Sequence, residues 1–185
     1  MRKLTHDEIS QNRLKIDTLH KAKKIPVTVV LDNIRSSYNV GSIFRTSDGA
    51  MIEKLFLCGY TPYPPNKEVL KTALGATESV NWEHTDNIVE LVKTLKNEGF
   101  LIGALEQTSQ SIPHYDFEKL DLTKKVCLII GNEIKGVKDK VIELCDFALE
   151  IPQYGIKQSL NVAVAYGITI FRIRETYAKC FPEYA

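Results

Sequence analysis

From Pro26 onward, short apolar runs rich in branched residues alternate with segments of helical periodicity. The five runs are VTVVLD (27–32), LFLCG (55–59), FLIGAL (100–105), VCLIIG (126–131) and FALEI (147–151). Strands that are apolar without alternation are buried on both faces, which is typical of parallel sheets. Helices are predicted between them at residues 40–49, 67–74, 88–96 and 137–144. The pattern predicts an α/β fold, a mainly parallel sheet flanked by helices, with ligands at the carboxyl ends of the strands.

A long terminal helix is predicted from Ser159 to about Lys179, and it has apolar residues on nearly every face. A helix that is apolar all round must be buried. One core of 185 residues does not easily cover so many faces. We therefore expect this helix to serve the core and a subunit interface together, which predicts a homodimer.

The charge is distributed unevenly along the chain. The formal net charge is only +1, from 24 Lys+Arg and 23 Asp+Glu, so no polyanion-binding field covers the whole protein. The first 24 residues, however, contain seven basic and three acidic residues. We divide the chain into an N-terminal basic helical extension (1–24) and one domain (25–185). The extension either contacts nucleic-acid phosphates or is a solvated helix on the edge of the domain.

Membrane, secreted and metal-binding classes are disfavoured. No apolar stretch approaches the roughly 18 residues that span a bilayer, and the N-terminus lacks the hydrophobic region of a secretory signal. We expect a cytoplasmic protein with no membrane contact. The four cysteines form no C-x-x-C pair and the four histidines are scattered, so no metal is expected.

Three polar clusters each follow a predicted strand directly, and the first follows residues 27–32. Here Asn39 is placed to cap a helix that begins at Val40, with Arg45 in the second turn. A capped helix with a surface arginine would explain Asn39 without any function. It would not explain the donor-rich run NIRSSY (33–38) before it, which suits a phosphate or sugar ligand.

The second cluster is GNEIKG (131–136), and the third is IPQYGIKQSLNVAVA (151–165). The paired glycines of the second allow sharp turns and close backbone approach to a ligand. The cluster is neither a G-x-G-x-x-G loop nor a Walker A motif, and Glu133 disfavours a bound pyrophosphate. In the third, Ser159 is the predicted N-cap of the terminal helix. Asn161 falls in an apolar stretch, where an unpaired buried amide costs about 1–3 kcal/mol; it is a functional candidate, or an amide that bonds backbone at a helix interface.

Taken together, the three clusters resemble the motifs of the SPOUT superfamily, in its SpoU/TrmH branch of RNA ribose 2′-O-methyltransferases. The first motif, an Asn followed six residues later by Arg-Thr, matches Asn39 and Arg45-Thr46. The second, Gly-x-Glu-x-x-Gly, matches Gly131, Glu133 and Gly136. The third, Ile-Pro and then Ser-Leu-Asn-Val, matches residues 151–152 and 159–162. The resemblance extends from Pro26 to Lys179.

The resemblance implies a C-terminal trefoil knot, an S-adenosylmethionine pocket within it, and an obligate homodimer. The backbone around Gly131, Ile151 and Leu160 would hold the cofactor. The residues implied at the reaction site are Arg45, Asn39, Glu133, Ser159 and Asn161. The chain has Ser37 and Gln153 where relatives often have Pro and Met, which leaves open whether the RNA is tRNA or rRNA.

The implied reaction is an in-line attack of a ribose 2′-hydroxyl on a sulfonium methyl. A guanidinium stays protonated in proteins, so we expect Arg45 to clamp an RNA phosphate and polarise the hydroxyl rather than to act as a base. Three alternatives remain: a catalytically silent RNA-binding member of the fold, a SPOUT base methyltransferase, and a nucleotide-binding enzyme with an ordinary doubly wound sheet. The absence of G-x-G-x-x-G disfavours the last.

Overall fold

The computed structural model describes residues 1–11 and 13–185, so Asn12 of the N-terminal segment lies outside it. Seven parallel strands form one sheet in the order β3-β2-β1-β6-β4-β7-β5. The strands are β1 (Ile25–Asp32), β2 (Ile52–Cys58), β3 (Trp82–Thr85), β4 (Leu101–Leu105), β5 (Ile112–Pro113), β6 (Val126–Ile130) and β7 (Phe147–Glu150). The predicted parallel sheet flanked by helices is confirmed; the trefoil knot stays a prediction.

Seven α-helices occur in the described residues, and those after the first flank the sheet. They are α1 (His6–Gln11), α2 (Ser37–Ala50), α3 (Lys67–Ala73), α4 (Ala76–Ser79), α5 (Ile88–Asn97), α6 (Asp139–Ile142) and α7 (Val162–Cys180). Successive side chains of a strand point to opposite faces. Val29 of β1 therefore packs in the core formed with α2, α3 and α7, whereas Val30 packs in the core formed with α5 and α6. This is why the strands are apolar without alternation.

The two strands at the edges of the sheet, β3 and β5, were not predicted. β3 has the sequence WEHT and β5 has only two residues, so neither has the apolar run of a buried strand. The predicted helix at residues 137–144 is also wrong in extent, because only Asp139–Ile142 is helical. Both edge strands are partly exposed, and edge strands need less apolar sequence than central ones.

The terminal helix α7 is buried on one face only. Tyr166, Ile170 and Ile173 are buried in the core, whereas Val164, Ile168 and Phe171 are exposed. The sequence predicted a helix that serves the core and a subunit interface together; the core face is present, and the subunit interface stays a prediction. No helix of residues 1–11 or 13–185 is long and apolar enough to cross a membrane.

The parallel arrangement decides where the polar clusters meet. β1 and β6 are neighbours, and β7 is separated from β6 by β4 alone. Because all strands run in one direction, the segments that follow β1, β6 and β7 emerge at the same edge of the sheet. The three clusters are thereby brought together, although Asn39 of the first and Asn161 of the third are 122 residues apart along the chain.

Candidate functional site

A cavity of about 320 Å³ opens at the carboxyl edge of the sheet. It is bounded by the ends of β4, β6 and β7 and by the segment that precedes α7. Six residues predicted for the site line it: Gly131, Glu133, Ile151, Ser159, Leu160 and Asn161. Residues from the second and third polar clusters therefore form one cavity, at the location expected for a ligand in this class of fold.

The paired glycines let the loop after β6 fold back on itself. The Asn132 N–H donates to the Gly136 carbonyl (3.1 Å), and the Gly136 N–H donates to the Asn132 carbonyl (2.9 Å). A Cβ at Gly131 would overlap the backbone of Gly136 and Val137. Gly136 has φ +66°, a left-handed conformation that favours glycine. Side chains at either position would force this wall of the cavity apart.

The Glu133 carboxylate joins this loop to the first turn of α2. It accepts hydrogen bonds from the N–H groups of Arg35 (2.9 Å) and Ser36 (3.1 Å) and from Nδ2 of Asn39 (3.1 Å). Desolvation by burial raises the pKa of Glu133, but the hydrogen bonds from Arg35, from its own backbone, from Ser36 and from Asn39 together lower that pKa below its ordinary value. The carboxylate therefore stays ionised at neutral pH. Its negative charge interacts favourably with the positive, N-terminal end of the α2 dipole.

Two asparagines continue this connection to α7. Oδ1 of Asn161 accepts from the N–H groups of Ala163 (3.0 Å) and Val164 (3.4 Å), and its Nδ2 donates to Oδ1 of Asn39 (3.2 Å). Backbone N–H groups only donate and the Glu133 carboxylate only accepts, so each amide has a single orientation that satisfies both of its neighbours. We call this chain, Glu133–Asn39–Asn161, the amide relay. It connects all three polar clusters.

The helix caps at this site differ from three expectations of the sequence. The N-cap of α2 is Ser36, whose side chain accepts from the Asn39 N–H, and the helix begins at Ser37 rather than Val40. The N-cap of α7 is Asn161 rather than Ser159. Asn161 is exposed at that cap and not buried within the helix. Its amide is satisfied by hydrogen bonds, so the expected burial penalty does not arise.

Arg45 lies apart from the cavity. It is six residues beyond Asn39 on α2, which places it about 9 Å further along the axis and about 240° around it. Arg45 is exposed and borders a separate groove with Ser42, Thr46 and Phe171. Its guanidinium makes no hydrogen bond or ion pair with any residue that the structure describes. One protomer therefore does not bring Arg45 to the other predicted site residues.

Sequence reasoning missed Glu106 and Asn132. Glu106 lines the cavity, and its carboxylate accepts from the N–H groups of Gln107 (2.9 Å) and Val137 (3.0 Å). Nδ2 of Asn132 donates to the Asn33 carbonyl (2.8 Å), which holds the loop after β6 against the loop after β1. The position of Glu106 directly after the apolar run 100–105 could have identified it, because the other clusters also follow strands.

The charge of the cavity lining is uneven. The lining includes the carboxylates of Glu106, Glu133 and Glu150, and no lysine, arginine or histidine. Such a lining favours a cationic ligand and disfavours a pyrophosphate. Over the part of the chain that the structure describes, no group of three or more His, Cys, Asp or Glu residues could hold a metal ion.

The chain is similar in sequence to known RNA methyltransferases. The SpoU rRNA Methylase family matches residues 26–171. The tRNA (guanosine(18)-2′-O)-methyltransferase of Aquifex aeolicus is 34% identical over 159 residues, which cover 84% of this chain and 71% of that protein. The 23S rRNA (guanosine-2′-O-)-methyltransferase RlmB of Vibrio parahaemolyticus is 29% identical over 161 residues, which cover 86% of this chain and 63% of that protein.

Solved structures give the same result. The TrmH/SpoU tRNA modifying enzyme of A. aeolicus has a TM-score of 0.77 and 30% sequence identity, with 91% of this chain and 83% of that chain covered. The AdoMet-bound rRNA methyltransferase from Sinorhizobium meliloti has a TM-score of 0.74 and 25% identity, with 83% and 60% covered. The resemblance identified from the three motifs is confirmed, and the chain belongs to the SpoU rRNA methylase family.

Proposed function

We propose that this protein transfers a methyl group from S-adenosylmethionine to a ribose 2′-hydroxyl of tRNA or rRNA. The observation that carries the proposal is the amide relay, which joins the three polar clusters beside one cavity. The names of the relatives, which are tRNA and 23S rRNA 2′-O-methyltransferases, support this reaction over base methylation and over a catalytically silent role.

The residues of the cavity fit S-adenosylmethionine. The cofactor has a sulfonium and an ammonium cation, which suit a lining with three carboxylates and no basic side chain. Leu105, Ile151 and Leu160 supply apolar surface for an adenine ring. The volume of about 320 Å³ lies in the usual range of about 300–1,000 Å³ for small-molecule sites. We propose that Gly131, Ile151 and Leu160 hold the cofactor through their backbone.

The bound cofactor supplies an electrophilic methyl group. That methyl group would pass to the ribose 2′-oxygen with the sulfur as leaving group, and the hydroxyl proton would leave to water. The lowered pKa of Glu133 makes its carboxylate a weak base, so we assign it and Asn161 to positioning Asn39. Asn39 and Ser159 would orient the sugar. Effective alignment of this kind accounts for several kcal/mol of a barrier.

We propose that Arg45 reaches the site in a homodimer. Exposed apolar residues form a stripe from Leu160, just before α7 and at the cavity, through Val164 and Ile168 of α7 to Phe171 at the Arg45 groove. Its helical part, from Val164 to Phe171, is about 10 Å long. A two-fold axis through its centre would place the Phe171 end of one copy against the Leu160 end of the other. Arg45 of the partner subunit would then face the cavity, where its guanidinium would clamp RNA phosphate.

The remaining assignments are also proposals. We assign residues 25–185 to the methyltransferase domain, because the core begins at the fully buried Ile25, and residues 1–24 to an extension, because α1 contains no buried residue. We propose a cytoplasmic location, where tRNA and rRNA are found, and a transfer that needs no metal ion.

Methyl transfer is tested with labelled S-adenosylmethionine and bulk tRNA or rRNA from cells that lack this gene. We expect 2′-O-methylnucleosides after digestion, with unchanged yield in the presence of EDTA. Label on a base would support the base-methyltransferase alternative. RNA binding without any transfer would support the silent one.

A further inference from the structure

Tyr60 is an exposed aromatic side chain held rigidly beside the candidate site. It lies in the loop between β2 and α3 (residues 59–66), at the same edge of the sheet as the cavity. Its backbone N–H donates to Oδ1 of Asn33 (3.2 Å), and its hydroxyl oxygen accepts from Nδ2 of Asn132 (2.8 Å). Both ends of the residue are therefore fixed, yet 61% of its surface is exposed.

The neighbours of Tyr60 also restrict its position. Gly59 has φ +61°, and a Cβ there would overlap the Asn33 side chain. The buried hydroxyl of Thr61 donates to the Cys58 carbonyl (2.7 Å) and accepts from the Ile34 N–H (3.0 Å). An aromatic ring that is already fixed loses little conformational entropy when a ligand stacks on it. The exposed ring of Tyr60 is in this sense preorganised for binding.

A second aromatic surface lies on the same loop. The Tyr63 and His84 rings lie 4.2 Å apart between centroids, with 32° between their planes, and 42% of Tyr63 is exposed. Nε2 of His84 donates to the Gly59 carbonyl (2.9 Å), which ties β3 to the residue before Tyr60. The two exposed tyrosines, three residues apart, are thus both held by contacts with the protein, Tyr60 by Asn33 and Asn132 and Tyr63 by His84.

Two cations lie on the loops after β1 and β6 that hold Tyr60 through Asn33 and Asn132. Arg35 and Lys135 are exposed, and their side chains have no hydrogen bond or ion pair within residues 1–11 and 13–185. The Lys135 N–H donates to Oδ1 of Asn132, the same residue that contacts Tyr60 (3.0 Å). Nζ of Lys138 lies 3.4 Å from Oδ1 of Asp32, so its charge is partly neutralised. The rim is therefore basic and aromatic, whereas the cavity lining is acidic.

We infer that Tyr60, with Arg35 and Lys135, binds an unpaired nucleotide of the RNA next to the nucleotide that is methylated. The base would stack on the Tyr60 ring, and the flanking phosphates would contact the two cations. Bases within a duplex do not offer a free face, so this site selects RNA in which the target lies in a single-stranded segment. We call Tyr60, Arg35 and Lys135 together the platform. This inference rests on the proposed function, because it places the platform at the substrate side of that site.

The test compares Tyr60→Phe with Tyr60→Leu. Both variants lose the hydroxyl that contacts Asn132, and only Tyr60→Leu loses the ring, so their difference isolates stacking. Binding is measured by fluorescence anisotropy with a labelled single-stranded RNA of about 12 nucleotides and with the same strand paired to its complement. We expect Tyr60→Phe to bind the single strand nearly as the wild type does. We expect Tyr60→Leu to bind it about 5- to 150-fold more weakly, with little change for the duplex.

Tyr115→Leu is the matched control. Tyr115 is also an exposed tyrosine (46%), but it follows β5, five strands away from β2, or about 24 Å. Its substitution should leave RNA binding unchanged. The inference is overturned if Tyr60→Leu binds as Tyr60→Phe does, if the wild type does not bind the single strand, or if single strand and duplex weaken equally.

The methylation assay separates this inference from the proposed function. Ribose methylation by the wild type, together with equal RNA binding of the two Tyr60 variants, would refute the platform alone. The predicted difference between the variants, without any ribose methylation by the wild type, would refute the proposed function and leave the platform in place.

Discussion

Asn161→Asp should separate the stability of the protein from its activity. Aspartate caps helices as well as asparagine does, and a negative charge is favourable at a helix N-terminus. Its carboxylate can therefore still accept from the N–H groups of Ala163 and Val164. It cannot donate to Oδ1 of Asn39, which lies 3.2 Å from the atom that would become an oxygen. The two oxygens would repel, and the Asn39 amide would lose its fixed orientation.

The magnitude follows from the two hydrogen bonds of the Asn39 side-chain amide. The bond to Asn161 joins neutral groups and is worth about 0.5–1.5 kcal/mol, and the bond to the Glu133 carboxylate is worth about 1.5–3 kcal/mol. The site is solvated, so we take the lower part of their sum, about 2–3 kcal/mol. If the relay orients the sugar in the transition state, the rate of methyl transfer should fall about 30- to 160-fold.

The assay pairs single-turnover methylation with thermal unfolding, and Asn161→Ala is the control. Removing the cap should cost Asn161→Ala about 1 kcal/mol, which lowers Tm by about 2–4 °C in a chain of this size. Asn161→Asp should unfold at a higher Tm than Asn161→Ala, because it keeps the cap, and still lose activity. A wild-type rate for Asn161→Asp would refute the role of the relay. A Tm as low as that of Asn161→Ala would refute the account of the cap.

Three further predictions concern Arg45, Ile168 and Glu133. Arg45→Ala should lower the rate of single-turnover methylation by a factor of about 10²–10³ without changing cofactor binding. Arg45→Lys should recover little of that rate, because an ammonium lacks the bidentate fork. A near-normal rate for Arg45→Ala would remove Arg45 from the site. Ile168→Glu should sediment as a folded monomer and lose activity, because it buries a charge in the proposed interface, whereas an unchanged dimer would contradict that interface. The folded pKa of Glu133 lies below its ordinary value of 4.5, so its ionised form stabilises the protein above that pH, and this stabilisation is lost as pH falls through the folded pKa. The Tm difference between wild type and Glu133→Gln should therefore be constant above about pH 5.5 and shrink in acid. A constant difference down to pH values near 3 would contradict this.

The fold class could be predicted from the sequence, and the edges of the sheet could not. Central strands such as β6, with the sequence VCLII, are buried on both faces and therefore carry an unbroken apolar run. β3 and β5 are edge strands whose pairing depends on a neighbour already in place, so their sequences carry no comparable signal. The helix caps were misplaced for a related reason. Each helix start offers two good cap residues, Ser36 and Asn39 for α2 and Ser159 and Asn161 for α7. Which of the two caps the helix depends on contacts with distant parts of the chain.

By itself, the sequence determined that three polar clusters follow apolar strands, because the order of residue types along a chain is enough to define strands and the segments after them. Only the tertiary structure decided which polar atoms meet. Asn39 is hydrogen-bonded to Glu133, 94 residues away, and to Asn161, 122 residues away. No local periodicity encodes contacts at such separations. The same holds for Arg45 and the exposed face of α7: burial is a property of the packed chain, so the sequence showed an apolar helix, and the fold decided which of its faces was left uncovered.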